Sequence, residues 1–200
     1  IMNEDGTMAR LDDLIPYARR HGLKIGTIAD LIAYRHRHDR LVECVSDDPF
    51  DSDYGGEWRI KNYRNRIDGS MNLVLQKGQV DPDGTTLVRM HPLSVYHDVL
   101  GKPGPRKRIL QQSMEVIGAH GSGLIVLLMP PRTDLLALDA PKPPEGGGSG
   151  MDLRTYGIGA QILADLGVHR MELLTPSHRN LVGLEGYGLQ IVGERPFSGD

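Results

Sequence analysis

Three groups of residues could do chemistry in this chain. The first is Asp152 and Arg154, at the start of a helix signal, with Thr175 just past the strand signal that follows. In an α/β fold, helix starts and strand ends face the same crevice, so these three could line one wall of a binding site. The second is His91, His97 and Asp98, a 2-His-1-carboxylate set of the kind that binds a metal ion. Histidines in polar turns are common, and the bland reading is favoured. The third is Arg106-Lys107-Arg108 at a helix start, where charge and free backbone N–H groups could hold a phosphate. A solvated first turn is the commoner outcome for a basic run. Asp152 and Arg154 also have a structural reading, as residues that cap the helix and pin it to a sheet.

The elements that position these residues follow from the pattern. Ile158, Ile162, Leu163 and Leu166 recur at helical spacing after the breaker Glu145 to Gly150, and Gly167 ends that helix. A strand follows over 169–174. Upstream, 57–64, 71–76 and 86–91 read as strands separated by turn signals, the start of a three-stranded antiparallel sheet. Residues 105–118 form a helix with Ile109, Leu110, Met114 and Ile117 inward. Gly121 to Met129 is a continuous apolar strand of the fully buried kind. The segment Ala140 to Gly150 is too rich in Pro and Gly to pack and is expected to be mobile. A helix near 179–184 and a strand over 188–195 close the chain. The fold expected is α/β (α+β), a mixed sheet with antiparallel N-terminal strands flanked by helices.

Residues 1–45 read as a separate unit, with Leu11, Leu14, Ile15 and Ala18 on one helix face and Thr27 capping a second helix through Asp30. Residues 46–56 are polar and turn-rich and read as a linker, leaving 57–200 as the main domain. The chain opens on Ile1-Met2-Asn3 and is taken for a piece of something longer. A net charge of −3 gives no electrostatic case for nucleic acid or an anionic membrane, and no apolar run is long enough to span a bilayer. The single cysteine, Cys44, fits a reducing cytoplasm and falls short of a thiolate zinc site.

Two stretches carry a resemblance to known families. Ile1 to Arg10 and Leu23 to Arg35 resemble the C-terminal end of 3,4-dihydroxy-2-butanone 4-phosphate (DHBP) synthase. Asp152 to Leu163, Leu173 to Thr175 and Val182 to Leu189 resemble GTP cyclohydrolase II. That order is similar to the bifunctional riboflavin biosynthesis proteins, and the resemblance covers nearly the whole chain. It implies a synthase domain that uses magnesium to convert ribulose 5-phosphate to DHBP and formate, and a homodimer. The synthase's catalytic motifs would lie before Ile1.

The resemblance also exposes departures. The cyclohydrolase family holds zinc on three cysteines, the first in a segment like Arg-Val-His-Ser-Glu-Cys and two in a Cys-Asp-Cys. Here the first segment is Arg89-Met90-His91-Pro92-Leu93-Ser94, and Lys102 to Arg108 replaces the second. The family's Arg-Gln-Glu-Gly-Arg-Gly appears as Pro130-Pro131-Arg132-Thr133-Asp134, and the catalytic tyrosine's helix gives way to the Pro/Gly-rich loop. Thr-Asn-Asn-Pro-Arg-Lys becomes Thr175-Pro176-Ser177-His178-Arg179-Asn180. What persists is Asp152, Arg154, Arg89 and Thr175. Arg154 matches the arginine proposed as nucleophile towards the α-phosphate, and Arg89, Arg154 and Thr175 are the candidate ligand-binding residues. The resemblance therefore implies a degenerate cyclohydrolase II-like domain without zinc, acting as a structural or regulatory partner of the synthase. A nucleotide or flavin-pathway effector site and residual pyrophosphate release from GTP are the alternatives.

Overall fold

The structure is a computed structural model that describes residues 1–3, 5–27, 30, 34, 39–129, 150–176 and 187–197, the first six of α3 below as backbone alone. It divides into two compact units, 1–38 and 39–200. In the first, α1 (Leu11–Arg20) turns Ala18 inward and leaves Leu11 exposed. Asp13 accepts the backbone N–H of Arg10 at the helix start, 2.9 Å. The expected cap of a second helix is formed: Thr27 Oγ1 donates to Asp30 Oδ2 at 2.7 Å and accepts the Asp30 N–H at 3.0 Å. Most of that expected helix, the 140–149 segment and the helix expected near 179–184 lie outside the described residues.

The second unit is built on a seven-stranded mixed sheet: β1 (Val42–Ser52), β2 (Gly56–Asn65), β3 (Met71–Lys77), β4 (Thr85–Pro92), β5 (Gly123–Leu128), β6 (Arg170–Leu174) and β7 (Gln190–Arg195). The strand order is β1-β2-β3-β5-β4-β6-β7. Neighbours from β1 to β5 run antiparallel, whereas β4 is parallel to β5 and β6, and β6 to β7. The helices α2 (Ile109–His120) and α3 (Gly150–Asp165) make the crossovers β4–α2–β5 and β5–α3–β6. The first moves along the sheet one way and the second returns past β4. Crossovers of one hand then place the two helices on opposite faces. The core confirms this. Trp58, Leu75, Leu87, Ile125 and Leu127 pack with Met114 and Ile117 of α2, and Tyr63, Val74, Val88, Val126 and Leu128 pack with Ala160, Ile162 and Leu163 of α3. All six residues of β5 are buried, as its unbroken apolar run requires.

The mixed α/β architecture matches the sequence expectation, with three corrections. The expected three-stranded meander is broken, because β5 inserts between β3 and β4. Residues 46–52, expected as linker, belong to β1, with Phe50 opposite Trp58 and Asp51 opposite Glu57. Their polar, Pro-containing composition is that of a sheet edge, where charges, a proline and a bulge (here between Cys44 and Ser46) discourage pairing with another chain. Residues 39–45 accordingly group with the second compact unit. The second long helix starts at Ile109 rather than Pro105, because Arg108 takes a left-handed backbone, φ 61°, which no helix can pass through.

Candidate functional site

The reversal of winding direction lies between β4 and β5, and the crevice beyond their carboxyl ends is where open α/β sheets bind ligands. The β4 end supplies Arg89 and His91, which alternate with Val88 and Met90 and so point to the α2 face. Arg89 Nη1 donates to Leu174 O, 3.0 Å, at the end of the neighbouring β6, and its guanidinium lies 5.7 Å from the Phe197 ring centroid. Thr175, the next residue, is buried, and its N–H donates to Arg195 O at 3.0 Å. The fold thus brings Arg89 and Thr175 to one edge. Asp152 and Arg154 sit in the first two turns of α3, against the opposite face; their side chains lie outside the described residues.

A second cluster follows β4. A short π-helical turn, Val95–Val99, puts Asp98 back over His91. His91 Nε2 and the Ser94 N–H both reach Asp98 Oδ2, at 2.8 Å each, and the two side chains are only 3% and 2% exposed. Ser94, fully buried, uses Oγ to accept the His97 N–H at 3.3 Å. Asp98 O accepts from Gln111 of α2 at 3.4 Å, and Arg106 donates to Pro92 O at 3.0 Å. Arg106 therefore ties the loop to the strand end. Arg108 pairs with Glu115 at the surface.

The electrostatics of the pair are settled by burial and by its own hydrogen bond. Burial pushes the His91 imidazole below its ordinary value, with Arg89 and Arg106 adding to the effect against the pull of Asp98. Burial alone would raise the Asp98 carboxyl, but the His91 and Ser94 hydrogen bonds and the Arg106 charge hold it below the usual range. The pair is neutral imidazole, donating from Nε2, and carboxylate. A lowered histidine value means that the unfolded chain takes up its proton first as pH falls. The His91 contribution is present above its ordinary 6.5 and lost below it, and that of Asp98 is lost as pH falls below 3.8. The melting temperature is therefore expected to drop between about pH 7 and pH 5, and less steeply in His91→Gln. Equal slopes in calorimetric melts of the two proteins would rule this out.

The donors present do not fit a thiolate zinc centre. Ser94, where the resemblance places the first cysteine, offers a neutral hydroxyl already used as a cap, and His97 Nδ1 faces Lys102 O at 3.2 Å instead of joining His91. Among the described residues no three His, Cys, Asp or Glu side chains gather in a way that could hold a metal ion. Cys44 belongs to the same unit, but it is exposed on the outermost strand and bonded to Ser46 O. Of the 2-His-1-carboxylate set, His91 and Asp98 are thus brought together and His97 is not. Sequence reasoning favoured turn residues over a metal set here but missed that Asp98 serves His91 and Ser94. The one signal available was the four-residue spacing of Ser94 and Asp98, which lets a carboxylate close a turn.

Comparison with known proteins agrees with this architecture. Residues 43–196 match the family model for GTP cyclohydrolase II, and residues 1–34 that for 3,4-dihydroxy-2-butanone 4-phosphate synthase. The chain is 35% identical over 199 residues to the 3,4-dihydroxy-2-butanone 4-phosphate synthase of Photobacterium phosphoreum, covering 96% of this chain and 53% of that protein. It is 40% identical over 216 residues to the riboflavin biosynthesis protein RibBA of Bacillus subtilis, covering 98% and 53%. The crystal structure of RibBX, a two domain 3,4-dihydroxy-2-butanone 4-phosphate synthase from A. baumannii, superposes with a TM-score of 0.54 at 31% identity, covering 100% of this chain and 53% of that one. The chain spans about half the length of these relatives. With three-quarters of its residues inside one family's pattern and that family's sheet in place, the chain belongs to the GTP cyclohydrolase II family.

Proposed function

We propose that this chain is part of a riboflavin biosynthesis protein whose cyclohydrolase II domain no longer opens the guanine ring and works as a structural or regulatory partner of a DHBP synthase domain. The observation that carries this reading is Ser94, buried and capping His97, where the resemblance to the cyclohydrolase family places a zinc thiolate. A hydroxyl with an ordinary alcohol pKa cannot replace a thiolate, and zinc is what lowers the pKa of the attacking water. In this reading the synthase half makes DHBP from ribulose 5-phosphate with magnesium, and the protein is a cytoplasmic homodimer. The expectation of a reducing compartment rests on the exposed thiol of Cys44.

Two measurements test it. Elemental analysis of the purified protein finds no stoichiometric zinc. Removing 39–200 from the longer protein lowers the solubility or the synthase activity of what remains; unchanged values for both would show that the domain is neither scaffold nor regulator.

A second reading, a nucleotide or flavin-pathway effector site, is favoured by Arg89 and Thr175 lying at the edge where such sheets take ligands. With Arg154 on the helix that follows β5, the same edge would also serve residual release of pyrophosphate from GTP. Calorimetry with GTP, GMP and FMN decides the effector reading, and flat titrations for all three would sink it.

A further inference from the structure

Resting on the reading that zinc is lost, we propose that His91, Ser94 and Asp98 form a protein-only clasp that fixes the path of the β4–α2 connection without a metal. A metal centre gathers anionic ligands around a cation. The polarity here is reversed: the centre is the buried Asp98 carboxylate, and the groups gathered around it are N–H donors from the strand end (His91) and from the start of the turn (Ser94). The loop from 91 to 98 is thereby closed on itself. Asp98 N–H donates to Ser94 O at 2.8 Å and Leu100 N–H to Val95 O at 2.9 Å, so both ends of the turn are tied.

Anchors from three directions make the arrangement more than a local turn. Leu93 N–H donates to Leu128 O of β5 at 3.0 Å, Arg106 reaches Pro92 O, and Gln111 reaches Asp98 O from α2. A charged acceptor buried with two donors at 2.8 Å is among the stronger hydrogen-bonding arrangements in a protein. Both donors share one oxygen, Asp98 Oδ2. Directly beyond Asp98, Val99 and Leu100 are each 69% exposed. Hydrophobic burial therefore does not hold these two residues, which leaves the polar contacts of the turn to do so.

Hydrogen–deuterium exchange over 94–100 in the whole chain tests the clasp. Exhaustive chelation with EDTA and one added equivalent of zinc are both expected to leave exchange in that segment unchanged. Asp98→Ala is expected to accelerate it roughly ten-fold or more, while the amides of β5 stay protected. Should Asp98→Ala fail to fold, His91→Gln and His91→Leu carry the test. The glutamine amide can still donate to Asp98 and retains part of the protection, and the leucine loses it. Protection that falls on chelation, or exchange unmoved by both Asp98→Ala and His91→Leu, overturns the clasp. Stoichiometric zinc in the purified protein would instead overturn the reading of the domain's function, so the two failures are distinguishable.

Discussion

GTP turnover by this chain, with zinc supplied, is expected to lie at least about 10³-fold below that of a cyclohydrolase II holding its metal. Ring opening at the guanine imidazole needs a hydroxide equivalent near neutral pH. A metal provides it by lowering the pKa of bound water from about 15.7 to about 7. None of the described side chains near Ser94 can do the same. His91 donates its Nε2–H to Asp98, whose Oδ2 also accepts the Ser94 N–H, and its basic Nδ1 is buried away from solvent. Lys102 to Arg108 contains no sulfur. Ser94→Cys alone is expected to restore nothing, since one thiolate of three leaves zinc affinity far below that of a complete site. Product formation measured by chromatography decides the matter, and turnover within ten-fold of a zinc-bearing relative would refute the loss of function.

Gly123→Ala is expected to cost about 3 kcal/mol or more. Gly123 opens β5, opposite Lys77 of β3, with φ 148°, a backbone region where an L side chain is strained. A Cβ there would lie 2.6 Å from Leu87 O and 2.9 Å from Ile117 Cγ2. Neither can retreat: one is the backbone of the adjoining β4, and the other is buried at the α2–sheet contact. Strain and overpacking each contribute about 1–3 kcal/mol, which for a chain of this size lowers the melting temperature by roughly 6 °C or more. Gly121→Ala is the control. It also has a positive φ, 85°, but opens onto free space, so only the conformational cost of about 1–2 kcal/mol remains. Equal melting temperatures for the two variants would show that the close approach at β5 does not constrain the fold.

Much of the architecture was legible because it depends on local pattern. The apolar run before Met129 reads as a strand buried on both faces, and all six residues of β5 are buried. Ile162 and Leu163 read as the inner face of a helix, and both are fully buried. β1 was not legible. An edge strand gains nothing from apolar residues on its outer side, so its Ser, Asp and Pro content imitates a linker. The place of β4 was not legible either, since a hairpin signal gives the direction of a turn but not which strand inserts beside it.

At the site the division has the same cause. The sequence by itself determined which ligand types are on hand, because ligand identity is carried by residue type: a serine at position 94 and a basic segment after Gly101 do not supply three thiolates, whatever the fold. It could not tell what the remaining groups do. His91, His97 and Asp98 read more readily as turn residues than as a metal set, and Arg106 more readily as a solvated side chain than as a phosphate ligand, but residue type named none of their partners. Only the tertiary structure decided that Asp98 is buried against His91, that His97 turns to Lys102 O and that Arg106 reaches Pro92 O. These pairings depend on how the chain returns after β4 and on what the surrounding core excludes from water. In a dry interior a carboxylate must find donors, and the nearest ones are supplied by the fold.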